Sequence, residues 1–393
     1  MGNTTAKYLV CFISLLLISF SISLRIEPSL LQQDYLSAFS ISIADINDAM
    51  TSYQNWLMVA LLIAGITVDK VSALKVLLGS ALIASLGNIF FSHGPTGGFI
   101  YVGRLLLSFA HPFILISALK LGTEFIPRKW VPLFFGLAFA SLLLTPQLNN
   151  IVIPHLEEQT STLAVYNMFS MAGIIMSVIL IGLYRRLQHH ATVTPWKIWG
   201  NYQIWLLVVI SFIGWLPNTF LLNWGTFFLA HVTVVPLSTA YQTMTNTFTC
   251  FAIGAVIASL LTLRFTIPRI LGAGYAAAAL TFLLFVVLSH FALDSSVFFL
   301  MATGFFSAVT ILCYYQAYAS SDLGLSGTAM GLVAMFTTAG NTLFSWMAKM
   351  ITTGMYQQNP SLTDWAWNWL VIAVFLGIGS ILALQLRSEK PEA

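Results

Sequence analysis

The sequence predicts an all-α membrane protein of about twelve transmembrane helices, arranged as two six-helix bundles. Three observations lead there. Of 393 residues, 58% are hydrophobic and only 7% are charged, with a mean hydropathy of +0.86, whereas a soluble domain carries roughly a quarter charged residues. Apolar runs long enough to cross a bilayer, roughly 20 residues each, follow one another along the whole chain. Basic residues gather in alternate loops, which is the pattern of a polytopic protein with fixed orientation. The short alternating segments of a β-barrel are missing.

The spans fall near residues 8–36, 46–66, 75–92, 97–121, 132–153, 163–184, 203–228, 238–262, 271–291, 296–318, 328–350 and 365–386. The first has the outline of a signal peptide, Lys7 followed by apolar residues. No A-x-A-like cleavage site follows, so it is read as a span. "MGNTTA" lacks the Ser or Thr that N-myristoylation needs, because Ala6 stands there. Cys11, Cys250 and Cys313 each sit within an apolar run and read as free buried thiols.

With the N-terminus inside, the cytoplasmic segments collect Lys7, Lys70, Lys75, Lys120, Arg128, Lys129, Arg185, Arg186, Lys197, Arg264, Arg269, Arg387 and Lys390, thirteen of the sixteen basic residues. External loops such as "PHLEEQTS" (154–161) hold none. Both termini are therefore expected in the cytoplasm. The polar stretch "YRRLQHHATVTPWKIWG" (184–200) divides the chain into a first bundle over 1–188, a linker over 189–200 and a second bundle over 201–393. Such a six-plus-six plan suggests duplicated halves that rock around a central site.

Three cations escape the loop rule: Arg25, Arg104 and Lys349. A membrane-embedded arginine costs roughly 2.5–3.5 kcal/mol on translocon scales. In the first span Ser14, Ser21, Arg25, Ser29 and Gln32 recur at helical spacing on one face. Pro28 breaks the backbone bond to Leu24, beside Glu27. In the fourth span Arg104, Ser108 and His111 form a second stripe. One reading has these stripes lining an aqueous cavity, with both arginines offered to an anionic solute group. The other has the arginines snorkelling to the outer surface. Further polar stripes are Gln242, Asn246 and Thr249; Thr303, Ser307, Thr310 and Tyr314; and Thr338, Asn341, Ser345 and Lys349. Span seven carries "WLPNTFLLNWG" (215–225), where Pro217 and Gly225 permit bending beside Asn218, Asn223 and Trp224. Each stripe suits a cavity wall or a helix–helix seam. Arg25, Glu27, Arg104, His111, Asn218, Asn223, Trp224, Asn246, Tyr314 and Asn341 are the candidate solute-binding residues.

"GITVDK" (65–70) resembles the loop motif of the major facilitator superfamily, G-x-x-x-D-R/K-x-G-R-R/K, through Gly65, Asp69 and Lys70. Ser72 replaces the second glycine, and Ala73-Leu74 replace the basic pair. "GRLLLSFAHPF" looks like that family's span-four signature, "EFIPRKW" its following loop, and "GTAMGLVAMFTTAGNTLF" (327–344) its span eleven. In the second half "AIGAVIASLLTLR" (252–264) occupies the repeat of the loop motif, with Leu263 at the acidic position. Among subfamilies the chain looks most like bacterial phagosomal nutrient transporters and the lysosomal dipeptide-transporter group. The resemblance implies a gate at Gly65, Asp69 and Lys70, in which Asp69 accepts hydrogen bonds from neighbouring span ends. It also implies secondary active transport of an amino acid, dipeptide or nucleoside by alternating access.

No G-x-x-x-x-G-K-[ST] loop is present, so coupling to an ion gradient is expected instead of ATP use. If protons couple, Glu27 is the leading carboxylate and Asp34 the second, because an embedded acid beside a cation can exchange that partner for a proton. Neither H-E-x-x-H nor G-x-G-D occurs, and His189-His190 are too few for a metal site; an enzyme, a metal and a cofactor are not expected. The alternatives are a multidrug or metabolite exporter, for which Trp215, Trp224, Tyr314 and Tyr315 supply aromatic surface, and a non-transporting sensor. The expected partners are a small-molecule solute, H+ and the lipid bilayer. No nucleic acid is expected, and a monomer in a bacterial inner membrane is.

Overall fold

The computed structural model describes residues 3–30, 43–93, 97–184, 195–221, 225–226, 228–232, 235–288, 293–322, 324–355 and 362–387. Within these, side chains at 3, 26–30, 43–52, 54, 162, 184, 195–197, 231–232, 293–296, 341–355 and 362–368 are outside the description. The protein is an all-α polytopic bundle of twelve spans. The helices are α1 (Asn3–Leu30), α2 (Ile43–Lys70), α3 (Ala73–His93), α4 (Gly97–Phe125), α5 (Val131–Gln159), α6 (Thr162–Tyr184), α7 (Tyr202–Phe220), α8 (Leu237–Leu261), α9 (Ile267–Leu288), α10 (Leu293–Ser307), α11 (Leu312–Ala319), α12 (Ser326–Met355) and α13 (Leu362–Ala383). α10 and α11 make one span, joined by a 3₁₀ turn at Ala308–Ile311. Among the described residues nine helices are long and apolar enough to cross a membrane. Phe12, Ile151, Met171, Leu280 and Phe298 are each more than half exposed, a surface that is stable against lipid and not against water.

Local chemistry explains the helix ends. Pro132, in the first turn of α5, sits where a helix needs no N–H. The Asn201 side chain accepts from the backbone N–H of Gln203 at 3.0 Å and caps α7. Span seven was expected to run to 228, but α7 stops at Phe220 just after Pro217, and a π turn follows at Phe228–Val232. The tightened 3₁₀ turn after α10 lies where Ser307 and Thr310 donate back to the carbonyls of Gly304 and Ser307, at 3.1 and 2.7 Å; such back-bonding competes with regular helix.

The chain forms two compact units. The first comprises Met1–Phe134, Leu144–Trp199 and Ser321–Met335; the second comprises Phe135–Leu143, Gly200–Ser320 and Phe336–Ala393. In the first unit α4 packs on α1, α2 and α3, and α6 on α3. Asn88 of α3 donates to the Tyr166 carbonyl and the Ser170 hydroxyl, at 3.0 and 3.1 Å. In the second unit α9 packs on α10 and α13, and α8 on α10. Its core centres on Trp369, which is stacked 4.7 Å from Phe285 and meets Phe220 edge-on at 5.2 Å.

Candidate functional site

In the first unit the polar stripes of α1 and α4 face each other. Ser21 and His111 Nδ1 share a hydrogen bond of 2.9 Å, and both side chains are buried. Two turns before His111 on α4, Arg104 is 1% exposed, so its guanidinium is enclosed by protein. It donates to the carbonyls of Leu24 and Arg25, each at 3.1 Å. The Leu24 carbonyl is the one that Pro28, having no N–H, cannot engage. The same guanidinium lies 4.8 Å from the Tyr53 ring centre and 5.5 Å from that of Phe91. Arg25, half-buried, lies 5.7 Å from the Tyr53 ring. Tyr53 of α2 is thus flanked by two cations, an arrangement favoured by the negative face of the ring. Its hydroxyl is buried and has no hydrogen-bond partner among the described residues.

The loop-motif residues form a second arrangement in the same unit. Asp69 Oδ1 accepts from the backbone N–H of Gly327 at 2.9 Å. Its Oδ2 accepts from the N–H and the hydroxyl of Thr328, at 2.6 and 2.7 Å. The carboxylate therefore caps the start of α12, where unpaired N–H groups and the helix dipole favour negative charge. Gly65 makes this possible. A Cβ there would strike the Gly327 carbonyl, and one on Gly331 would lie 2.6 Å from the Leu61 carbonyl, so the two helices touch backbone to backbone. Lys70 is exposed and outside this cluster. The cation that pairs with Asp69 is Lys120, which the charge count takes as a cytoplasmic cation at the end of span four. α4 runs on to Phe125, so Lys120 lies inside the helix and is 4% exposed.

The second unit holds the remaining described candidates apart from one another. Asn218 is 1% exposed, and neither its amide nitrogen nor its oxygen has a partner among the described residues. Tyr314 packs 4.7 Å from Phe139 and hydrogen-bonds Thr337, whose hydroxyl reaches Ser211 at 3.2 Å. Asn246 lies on an exposed face and accepts from Gln242 at 3.1 Å. Asp34, Asn223 and Trp224 lie outside the described residues, as do the side chains of Glu27 and Asn341. Among the described residues no cluster of His, Cys, Asp and Glu could hold a metal ion.

Sequence reasoning missed Tyr53 and Lys120. Tyr53, a lone tyrosine in the early part of a span, carried almost no signal. Lys120 had a weak one, the five further helical residues that follow it.

A family model for the Major Facilitator Superfamily matches residues 11–345. The chain belongs to that superfamily. Its members are transporters and not enzymes. Two solved structures are similar over the whole length: a superfamily transporter, FucP, in the outward conformation, and a point variant of the E. coli fucose:proton symporter FucP. They are 14% and 13% identical, each with a TM-score of 0.73, covering 98% of this chain and 100% of theirs. At that identity the likeness is one of fold. Curated protein sequences offer no match.

Proposed function

We propose that this superfamily member is a proton-coupled secondary transporter. Its solute is a small polar, anionic or zwitterionic molecule of the amino acid, dipeptide or nucleoside class, and the arginine favours the carboxylate-bearing members. The observation that carries the reading is Arg25. Arg25 is partly exposed and its guanidinium is set over the ring of Tyr53, whose buried hydroxyl is a spare hydrogen-bonding group. A guanidinium matches a carboxylate in bidentate fashion, and the tyrosine hydroxyl adds a neutral donor beside it. Arg104 is engaged with backbone carbonyls, so Arg25 is the cation assigned to the solute. The resemblance to phagosomal nutrient and lysosomal dipeptide transporters agrees with such a substrate. Glu27, two residues along α1, is the carboxylate assigned to proton coupling. The Asp69 cap on α12 is the contact assigned to the gate, broken and remade in each cycle of alternating access. Basic residues in alternate loops favour cytoplasmic termini, and short loops favour a bacterial inner membrane.

The test is uptake in proteoliposomes under an imposed proton gradient, with labelled amino acids, dipeptides and nucleosides set against lipophilic cations. Arg25→Gln is expected to raise KM at least tenfold, with Arg25→Lys between it and the wild type. Glu27→Gln is expected to abolish gradient-driven accumulation while sparing counterflow exchange. Uptake of lipophilic cations alone, indifferent to Arg25→Gln, would replace this reading with the exporter.

A further inference from the structure

A crevice of about 460 Å³ opens on the flank of the second unit between α8, α9 and α10. That volume lies in the range of ordinary ligand sites, ~300–1,000 Å³. Its walls include Ile257, Leu261, Phe265, Ile270 and Phe306, and every lining residue is apolar except Arg269. This is the wrong chemistry for a polar solute, which needs several convergent hydrogen-bonding groups. It suits a hydrocarbon chain.

The shape follows from the sequence. At the deep end Gly254 meets the Phe305 backbone and Gly274 meets the Val309 side chain, where a Cβ would collide. These contacts pinch the helices together. Toward the α8–α9 turn Leu261 and Phe265 line the crevice with exposed side chains. Gly254 is seven residues from the end of α8, so the crevice reaches about 10 Å from the turn at 1.5 Å per residue. The surrounding flank is lipid-facing: Ile253, Leu260, Leu263 and Phe265 are all exposed.

Arg269 lines the crevice, and Arg264 immediately precedes the lining residue Phe265 in the chain. Arg264 and Arg269 are both exposed and make no ion pair among the described residues. The sequence holds no Asp or Glu from 237 through 293. An apolar crevice beside two exposed arginines that follow the end of a membrane-spanning helix matches one occupant.

We infer that this crevice binds an anionic phospholipid, one acyl chain lying between α8, α9 and α10 and the phosphate meeting Arg269 and Arg264. Basic pockets between transmembrane helices recognise anionic headgroups in this way, and a guanidinium holds phosphate through paired N–H donors. The inference is independent of the transported solute.

Native mass spectrometry of the full chain, extracted from bilayers of equal phosphatidylglycerol and phosphatidylcholine, tests it. The wild type is expected to retain one phosphatidylglycerol with at least tenfold preference. The double variant Arg264→Gln, Arg269→Gln should lose the preference. Ala273→Trp, at an exposed lining position, should fill the crevice and lose the bound lipid with the arginines intact. Thermal unfolding of each variant checks that the fold survives. Equal retention of both lipids by the wild type, an unchanged preference in the double variant, retention undiminished by Ala273→Trp, or displacement by millimolar inorganic phosphate would each overturn the assignment.

Discussion

Among the described residues the buried charged side chains are Asp69, Arg104 and Lys120, and all three belong to the first unit. The second unit buries hydroxyls, amides and rings instead: Ser211, Asn218, Thr310, Gln316 and the Trp369 stack. The contrast lies in what each group is bonded to. In the first unit the ions reach across helices to groups that are otherwise unmatched, Arg104 to the carbonyl freed by Pro28 and Asp69 to the first N–H groups of α12. In the second unit most hydroxyls turn back onto their own helix, as Ser211 does on Val208 and Thr303 on Phe299. An ion in a low-dielectric interior is costly once its partner is gone, whereas a neutral hydroxyl is not. Removing single groups should therefore damage the first unit far more than the second.

The largest effect belongs to Asp69. Asp69→Ala leaves the Lys120 ammonium buried without its counter-ion, a change that costs about 3–5 kcal/mol when a buried pair loses one member. Thermal unfolding in detergent should show a clear fall in midpoint. Adding Lys120→Met should restore most of the stability while uptake stays impaired, because α12 still lacks its cap. Recovery of uptake along with stability would show that the cap has no part in the cycle.

Next comes Arg104. Arg104→Gln should cost about 2–3 kcal/mol, since buried carbonyls lose charge-assisted donors. Pro28→Ala in the same chain should recover most of that, because the restored N–H closes the helical bond to Leu24. Absence of rescue would mean that Arg104 acts on something other than the broken turn. The smallest effect is expected in the second unit. Thr337→Val and Ser211→Ala should each shift stability by about 0.6 kcal/mol, the average for a hydrogen bond between membrane helices. A loss beyond about 2 kcal/mol in the same unfolding measurement would erase the contrast between the units.

Much of this was legible beforehand at the level of one helix. The stripe Ser14, Ser21 and Arg25 and the stripe Arg104, Ser108 and His111 follow from helical periodicity, and the defect at Leu24 follows from Pro28. Gly65 and Asp69 were legible through a family motif. What each stripe faces was not. The α1 and α4 stripes read as cavity walls or as arginines snorkelling outward, and their mutual contact through Ser21 and His111 is a tertiary fact. Lys120 counts as a cytoplasmic cation although it falls within the expected span 97–121, because no local pattern shows that Asp69 lies beside it. Tyr53, with no charge and no motif, carried almost no signal, yet it sits between both arginines.

The sequence by itself determined that the chain is a helical membrane protein, where its spans run and which faces are polar, because bilayer thickness and the helical repeat act on each segment alone. Only the tertiary structure decided which polar face meets which. A buried guanidinium or carboxylate takes the nearest unmatched partner in space, and for Arg104 that partner lies some eighty residues away and for Asp69 some 260, distances over which no local pattern in the chain can choose.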